Sequence, residues 1–254
     1  MMIYANVTSF AGSLTPDKSD ICGSFRQVQV PAFVSYANKV PMIPEKSSFT
    51  AAEWKLVQRL NTPAKVQRFF TSMPYNWERD GGTMRSFREV VKRKEAHCLE
   101  AAVSAAVILE QHGYPPLLLD LESQDLLDHV VFAFKVDGRW GSVARSRDAG
   151  LHGRKPVYRS VRDLALSYSD PFVDLTGRLK GFGLTSLYDL GGYDWRFSSH
   201  RMLKIEDHLR AIPHKPVRSS DKRYEKLLLR YRQYKKRYPD RTPSYYDSRP
   251  NWLV

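Results

Sequence analysis

The segment from Cys98 to Leu109 most strongly limits what this chain can fold into. After Glu100 it is almost entirely apolar, and its alanines at positions 101, 102, 105 and 106 would let neighbouring elements approach from more than one side. A helix that is apolar nearly all round must be covered by the rest of the protein. Gly113 supplies the left-handed residue that commonly follows a helix. The sequence therefore predicts a central, buried helix with Cys98 in its first turn.

Helix signals are dense before this segment and absent at the start of the chain. Residues 1–48 contain scattered prolines and no helical period, which predicts an irregular arm with one short strand near 25–30. Thr50–Glu53 and Ser86–Glu89 have the residue types of capping boxes. Thr62 and Pro63 are typical of an N-cap followed by the first helical residue. We therefore expect three short helices ahead of the Cys98 helix.

Strand signals follow the Cys98 helix. Short apolar or β-branched runs occur at 116–121 and 128–136, and Asp137-Gly138 is a strong signal for a two-residue hairpin turn leading into 139–144. A polar loop is predicted over 146–156 and a further strand over 181–190. A buried helix followed by an antiparallel sheet indicates the α+β class.

The last part of the chain is predicted to be helical and basic. Helices are expected over 160–168, 204–212 and 220–238, which places additional helices at the C-terminus. We divide the chain into the arm (1–48), an α+β domain (49–213) and a basic helix and tail (214–254). Eleven of the Lys and Arg residues behind the net charge of +13 lie between Lys215 and Arg241, against three acidic residues. Such a segment could bind a polyanion weakly, or its apolar face could dock on the domain while its basic face is only solvated.

Composition narrows the class of protein. The chain has 254 residues and 42% hydrophobic content, enough for one domain with a real core. No run approaches the length of a membrane span, and the first residues lack the pattern of a secretory signal, so we expect a cytoplasmic protein without membrane contact. Two cysteines do not make a disulfide framework. No Cys or His pair has metal-ligand spacing, since His112, His152 and His200 are scattered, so neither metal nor cofactor is expected.

Cys98 is the candidate nucleophile and His129 its candidate base. A helix N-terminus offers unpaired N–H groups and a positive dipole end, both of which stabilise a thiolate. The alternative is that Cys98 is a small buried hydrophobe, as most free cysteines are. His129 lies at the start of the predicted strand 128–136, the second strand after the Cys98 helix. An imidazole that faces a thiol is the arrangement of papain-type chemistry. His97, one residue before the thiol, is expected to point elsewhere around the helix.

The loop at 74–82 is a candidate source of oxyanion donors. The Cys98 N–H is the first donor expected, and Asn76 or Trp77 could add a side-chain N–H. The alternative for both residues is a structural turn with a packed Trp. The loop is rich in aromatic and amide groups, which is unusual for a plain connection and typical of loops that contribute to functional sites.

Several of these pieces together resemble the transglutaminase-like superfamily of cysteine enzymes, and in particular a group of bacterial transglutaminase-like proteins of undefined activity. The resemblance runs from Asn61 to about Val173, nearly half the chain. It implies a papain-like core, a Cys at a helix start, a His on a strand and an Asp on the next strand. The matching pieces are Met73–Glu78, His97–Ala102, Gly113, Asp128–Val131, Gly138–Trp140 and Arg154–Arg159.

The chain departs from the family at the third position, where it has Ala144 in place of Asp. Side chains on a strand alternate faces, so Ser142, Ser146 and Asp148 share the parity of position 144. Asp148 is the best chemical substitute, because a carboxylate both orients an imidazole and stabilises an imidazolium. A serine could only orient it.

Two functions remain open from the sequence. The first is a cysteine hydrolase or acyltransferase in which Cys98 attacks the carbonyl of a protein, peptide or small amide substrate and forms a thioester. The second is a catalytically degenerate form of the same fold that acts as a binding module, with an anionic partner on the basic C-terminal helix.

Overall fold

The structure, a computed structural model, describes residues 43–79, 81–124, 128–172 and 177–253. Six of the strands in these ranges form one antiparallel sheet, and seven α-helices surround it. The helices are α1 (Ala51–Arg59), α2 (Pro63–Ser72), α3 (Phe87–Arg93), α4 (Cys98–Glu110), α5 (Val161–Leu166), α6 (Leu203–Ala211) and α7 (Asp221–Arg237). The strands are β1 (Leu117–Ser123), β2 (His129–Val136), β3 (Arg139–Val143), β4 (Arg154–Tyr158), β5 (Leu179–Ser186) and β6 (Lys215–Pro216). The prediction of the α+β class is confirmed.

Helix α4 is the centre of the core, as the sequence predicts. Every residue from Leu99 to Glu110 is buried, and the four alanines are fully covered. The helix packs on β2, and α2 and α3 pack on its other sides. One apolar cluster fills the space between these helices and one face of the sheet. A second cluster covers the opposite face, where α5 packs.

The predicted start signals of the first helices work through the expected hydrogen bonds. Thr50 and Glu53 form a reciprocal capping box at α1, with Glu53 Oε2 accepting from the Thr50 N–H at 2.7 Å. Thr62 caps α2 with Pro63 as its first residue, and Ser86 caps α3. Lys94 ends α3 in the left-handed conformation, with φ of 59°. The chain then turns back to begin α4 four residues later.

The sheet has the strand order β4-β3-β2-β1-β5-β6. The hairpin between β2 and β3 turns at Asp137 and Gly138, which both have positive φ, as a two-residue hairpin of this type requires. In the register of β1 and β2, Leu121 lies opposite His129. This pairing places His129 at the end of the sheet where α4 begins, because the chain reverses direction between α4 and β1.

The structure differs from the expectations in three places. The expected loop at 146–156 contains a 3-10 turn (Ala149–Leu151) and the start of β4, an edge strand where Pro156 is tolerated. The expected strand at 181–190 ends at Ser186, because Ser186 and Asp189 cap a 3-10 turn over Leu187–Leu190. Helix α5 also ends at Leu166, two residues early.

The structure bears on only part of the predicted domain boundaries. Residues 1–42 lie outside the described residues, as does the strand expected near 25–30, and a 3-10 turn occupies Lys46–Ser48 within the rest of the predicted arm. The predicted boundary at 213/214 falls just before β6, which pairs with β5 and so belongs to the sheet. Over the described ranges, none of the helices has the length and apolar content needed to cross a membrane.

Helix α7 lies on the surface with its apolar stripe partly covered. The stripe is half-buried, which agrees with a helix that docks on the domain through this face, while most of the Lys and Arg residues are exposed. Asp221 accepts a hydrogen bond from Arg178 at 2.7 Å, and Arg223 donates to Asp170 at 2.8 Å. The stripe consists of Tyr224, Leu227, Leu228, Tyr231 and Tyr234.

Candidate active site

Cys98 is the first residue of α4 and is partly exposed, whereas the residues on both sides of it are buried. The helix has its first internal hydrogen bond at Ala101, whose N–H donates to the His97 carbonyl. Among the described residues, no acceptor is hydrogen bonded to the Cys98 N–H. The thiol therefore lies at the positive end of the helix dipole, and its own N–H is free to donate to a bound oxygen.

Two imidazoles interact with the thiol. Burial raises the pKa of Cys98, but hydrogen bonds and charge interactions with His129 and His97 outweigh this effect and lower the pKa well below its usual value. The sequence predicts the approach of His129. It does not predict that of His97, which was expected to point away.

The position of His97 follows from its backbone. His97 is the N-cap residue of α4 and is extended, with φ of −89° and ψ of −175°, so the rotation of 100° per residue within a helix does not apply to it. Its side chain is 91% buried, and its Nε2 lies 3.4 Å from Glu78 Oε1 and 3.5 Å from Glu100 Oε1. Burial lowers the pKa of His97, but Cys98 and the two carboxylates together raise it to about 9. A pKa in this range favours the imidazolium form at neutral pH.

Glu100 organises this side of the site. It is fully buried in the first turn of α4, and its Oε2 accepts from the His97 N–H at 3.1 Å, the return half of a capping box. The same carboxylate accepts from Thr83 Oγ1 at 2.6 Å and from the Arg85 N–H at 2.9 Å. One buried carboxylate thus connects the loop before α3 to the start of α4.

The orientation of His129 is set by a main-chain carbonyl. Its Nε2 lies 2.8 Å from the Leu151 carbonyl oxygen. A carbonyl oxygen can only accept, so Nε2 carries a proton and Nδ1 is the ring nitrogen left to face the thiol. Tyr168 and Phe172 contact the ring edge-on or tilted and restrict its rotation. The imidazole is therefore fixed in the tautomer that can accept a proton from a thiol.

The turn that presents the Leu151 carbonyl is itself tightly bonded. Asp148 Oδ1 accepts from the Gly150 N–H at 2.7 Å and caps the 3-10 turn. Arg154 is fully buried, and its guanidinium donates to the carbonyls of Gly150 and His152 at 2.6 Å each. These bonds fix the backbone from 148 to 153.

The structure corrects the expected third member of the triad. The bond to His129 Nε2 that was assigned to Asp148 or Ser146 is made by the Leu151 carbonyl, and Asp148 acts one step away by capping the turn. Ser146 Oγ accepts from the Asp148 N–H at 3.3 Å. Ser142 Oγ lies 2.7 Å from the hydroxyl of Tyr168, the residue whose ring packs on His129, and so bonds to this hydroxyl. Ala144 is buried, and its N–H and carbonyl both bond to the Gln67 side chain.

The structure also corrects one of the expected oxyanion donors. Asn76 is buried beside the site, but its two amide hydrogens are used by Thr83 Oγ1 at 2.7 Å and Glu100 Oε2 at 3.1 Å. Its N–H donates to the Ala96 carbonyl, so Asn76 ties the loop to the residues just before Cys98. Trp77 is 56% exposed and packs edge-on against Tyr75. The structure assigns Asn76 the structural role that was its alternative.

Two functional groups had little or no sequence signal. The Leu151 carbonyl is a backbone atom, and no residue pattern announces which carbonyl will face a histidine. His97 had a weak signal, because a Glu three residues after it is the spacing of a capping box and makes His97 the N-cap. Within the described residues, no cluster of His, Cys, Asp and Glu is suited to hold a metal ion.

No protein-family model matches this chain, and no curated protein matches it at a significant level.

Proposed function

We propose that the protein is a cysteine hydrolase or acyltransferase with a papain-like core, in which Cys98 attacks an amide or peptide carbonyl. The observation that carries the proposal is a pairing of two side chains. Cys98 is partly exposed and its surroundings stabilise its thiolate, and the Nδ1 atom of His129 is left to face it. A structural cysteine needs neither feature. The resemblance to transglutaminase-like enzymes supports the same assignment.

The first half of the reaction forms a thioester. The Cys98 thiolate attacks the carbonyl carbon, and the C=O electron pair moves onto the oxygen, where the Cys98 N–H donates to the oxyanion. The tetrahedral intermediate then collapses and the C–N bond breaks. His129, protonated on Nδ1, gives this proton to the departing amine.

The second half releases the acyl group. Neutral His129 takes a proton through Nδ1 from water or from an acceptor amine, which attacks the thioester carbon. The C–S bond breaks and Cys98 leaves as the thiolate. His97 remains an imidazolium throughout, because Glu78 and Glu100 stabilise its charge, so it can keep the thiolate stable while His129 moves protons.

The experiment is acylation by p-nitrophenyl acetate, an activated acyl donor that does not depend on the natural substrate. We expect an acetyl group on the Cys98 peptide in the mass spectrum and steady release of nitrophenol. Cys98→Ser abolishes the adduct, whereas Cys22→Ser is the matched control and leaves it unchanged. His129→Gln should allow acylation but slow deacylation by about a hundredfold or more, the usual contribution of a general base. Absence of any Cys98 adduct would refute the proposal.

A further inference from the structure

An open cleft of about 660 Å³ lies beside the candidate active site. One wall is the loop from Tyr75 to Arg79, and the opposite wall is formed by Ser199, His200 and Arg201. The volume is in the range of pockets that bind small molecules or short peptide segments. We call it the arginine cleft, after the four arginines among its described lining residues, Arg79, Arg85, Arg93 and Arg201.

The cleft begins at residues that also interact with the catalytic groups. Glu78 lines it and lies 3.4 Å from His97 Nε2. Tyr75 lines it too, and burial, followed by the charge of Cys98, raises the pKa of its hydroxyl. Through Glu78 and Tyr75 the cleft therefore extends to the His97 side of the candidate site.

Two of the four arginines have no carboxylate partner among the described residues. Arg85 pairs with Glu95 at 2.8 Å, and Arg93 pairs with Glu89 at 3.5 Å. Within the described parts of the chain, no carboxylate lies within ion-pair distance of Arg79 or Arg201. These two cations are available to a ligand.

The backbone leaves room for one of these cations. A Cβ atom on Gly82 would lie 2.9 Å from Nη2 of Arg201, so the guanidinium lies against the bare backbone of this glycine. The same Cβ would lie 3.9 Å from Glu78 Oε1, so the Arg201 guanidinium and the Glu78 carboxylate both lie close to Gly82. Trp77, which is 56% exposed, adds a flat apolar surface on the Tyr75–Arg79 wall.

The charges of the cleft suit an anionic ligand. Among its described lining residues, Glu95 and Glu89 pair with Arg85 and Arg93, and Glu78 faces His97, so Arg79 and Arg201 are not neutralised by these carboxylates. A carboxylate can accept paired hydrogen bonds from a guanidinium. An acidic side chain is also the anionic group that a peptide substrate carries without modification, so we take the ligand to be a carboxylate.

We propose that the arginine cleft binds a carboxylate of the acyl donor, so that the substrate is an acidic peptide segment whose Glu or Asp side chain lies between Arg79 and Arg201. The inference rests on the proposed function and adds a substrate class to it, since the cleft would select the peptide that Cys98 attacks. The extended peptide lies along the Trp77 wall and presents its carbonyl at Cys98.

The test is isothermal titration of a capped Gly-Glu-Gly-Gly peptide into the Cys98→Ser protein, which binds without turnover. We expect at least about tenfold weaker binding by the same peptide with Gln, the loss typical of one charge-assisted bond. The double variant Arg79→Gln and Arg201→Gln should weaken binding of the Glu peptide by about tenfold or more. Arg59→Gln, which removes an exposed charge on α1, is the matched control and should change nothing.

Equal binding of the Glu and Gln peptides, or an unchanged affinity in the double variant, would overturn the inference. So would tighter binding of a phosphoserine peptide than of the Glu peptide. Because titration needs no thiol chemistry, these results are independent of the acylation experiment. A double variant that still forms the acetyl adduct on Cys98 but no longer prefers the acidic peptide separates the cleft from the nucleophile.

Discussion

His97→Gln is the substitution that best tests the charge arrangement around the thiol. Gln keeps a polar side chain at the N-cap but removes the imidazolium beside Cys98. The pKa of His97 is raised from 6.5 to about 9, although burial alone would lower it. The causes of the rise are the hydrogen bond and charge of Cys98 first, then the charges of Glu100 and Glu78.

The size of the effect follows from this rise. At 1.36 kcal/mol per pKa unit, a rise to about 9 corresponds to about 3 kcal/mol in favour of the imidazolium. If about half of it comes from Cys98, the thiolate gains about 1.4 kcal/mol in return, which is a tenfold change in its ionisation constant. We therefore expect His97→Gln to raise the pKa of Cys98 by about one unit. His129 still interacts with the thiol, so the pKa remains below that of a free cysteine.

The assay is the pH dependence of alkylation of Cys98 by iodoacetamide, followed on its tryptic peptide. In the variant the midpoint moves up by about one pH unit, and the rate below the midpoint falls by about three- to tenfold. Above the midpoint both thiols are fully ionised, and the variant reacts up to about threefold faster, because a thiolate of higher pKa is the stronger nucleophile. His112→Gln, just after the far end of α4, is the matched control. An unchanged midpoint in His97→Gln would refute the proposed ion pair.

Three further changes test other parts of the account. Glu100 accepts hydrogen bonds through both carboxylate oxygens, whereas the amide of Glu100→Gln has one accepting oxygen and one donating NH₂ group. We therefore expect a loss of about 2–4 kcal/mol in the free energy of unfolding, measured in urea. Glu95→Gln, whose side chain is partly exposed, is its control and should cost under about 1 kcal/mol. Tyr246→Ala removes a ring that packs on Gly150 in the turn before Leu151, so it should destabilise the protein by about 2 kcal/mol and slow deacetylation of Cys98. Lys222→Glu with Lys226→Glu reverses exposed charges on α7; elution from heparin at lower salt is expected if this helix binds polyanions, and unchanged elution would remove that partner.

The C-terminal tail explains why charge reversal is a better probe of α7 than truncation. Leu253 donates its N–H to the Gly153 carbonyl, and Trp252 forms a bridge with Arg154. These contacts pack the end of the chain on the turn that presents the Leu151 carbonyl. A truncation before α7 would therefore disturb the orientation of His129 as well as remove basic residues.

The sequence predicts those features that depend on local side-chain chemistry or on the spacing of apolar residues. The caps at Thr50 and Thr62, the Asp137-Gly138 hairpin and the buried α4 helix follow from short patterns that act within a few residues, and the structure confirms them. The meeting of Cys98 and His129 is also predicted, but from the resemblance to transglutaminase-like enzymes, since the sequence separation of the two residues is only compatible with it. Tertiary bonds between distant residues are not visible in such patterns.

The part of the site that sequence reasoning missed depends on backbone and long-range contacts. The Leu151 carbonyl is placed by Asp148, Arg154 and the C-terminal tail, which are separated from His129 by many residues. The resemblance implies a carboxylate at the position of Ala144. In the structure the Ala144 N–H and carbonyl both form hydrogen bonds with the side chain of Gln67 in α2. The Leu151 carbonyl takes over the orienting part of the role of that carboxylate, without its charge.

The central claim is that Cys98 is a thiolate at neutral pH. The most direct measurement is the ultraviolet absorbance of the thiolate as a function of pH, taken as the difference between the wild-type protein and Cys98→Ser. The account predicts a thiolate that persists well below the usual cysteine pKa of about 8.5. A difference signal that appears only above about pH 8 would show an ordinary thiol and would contradict the account.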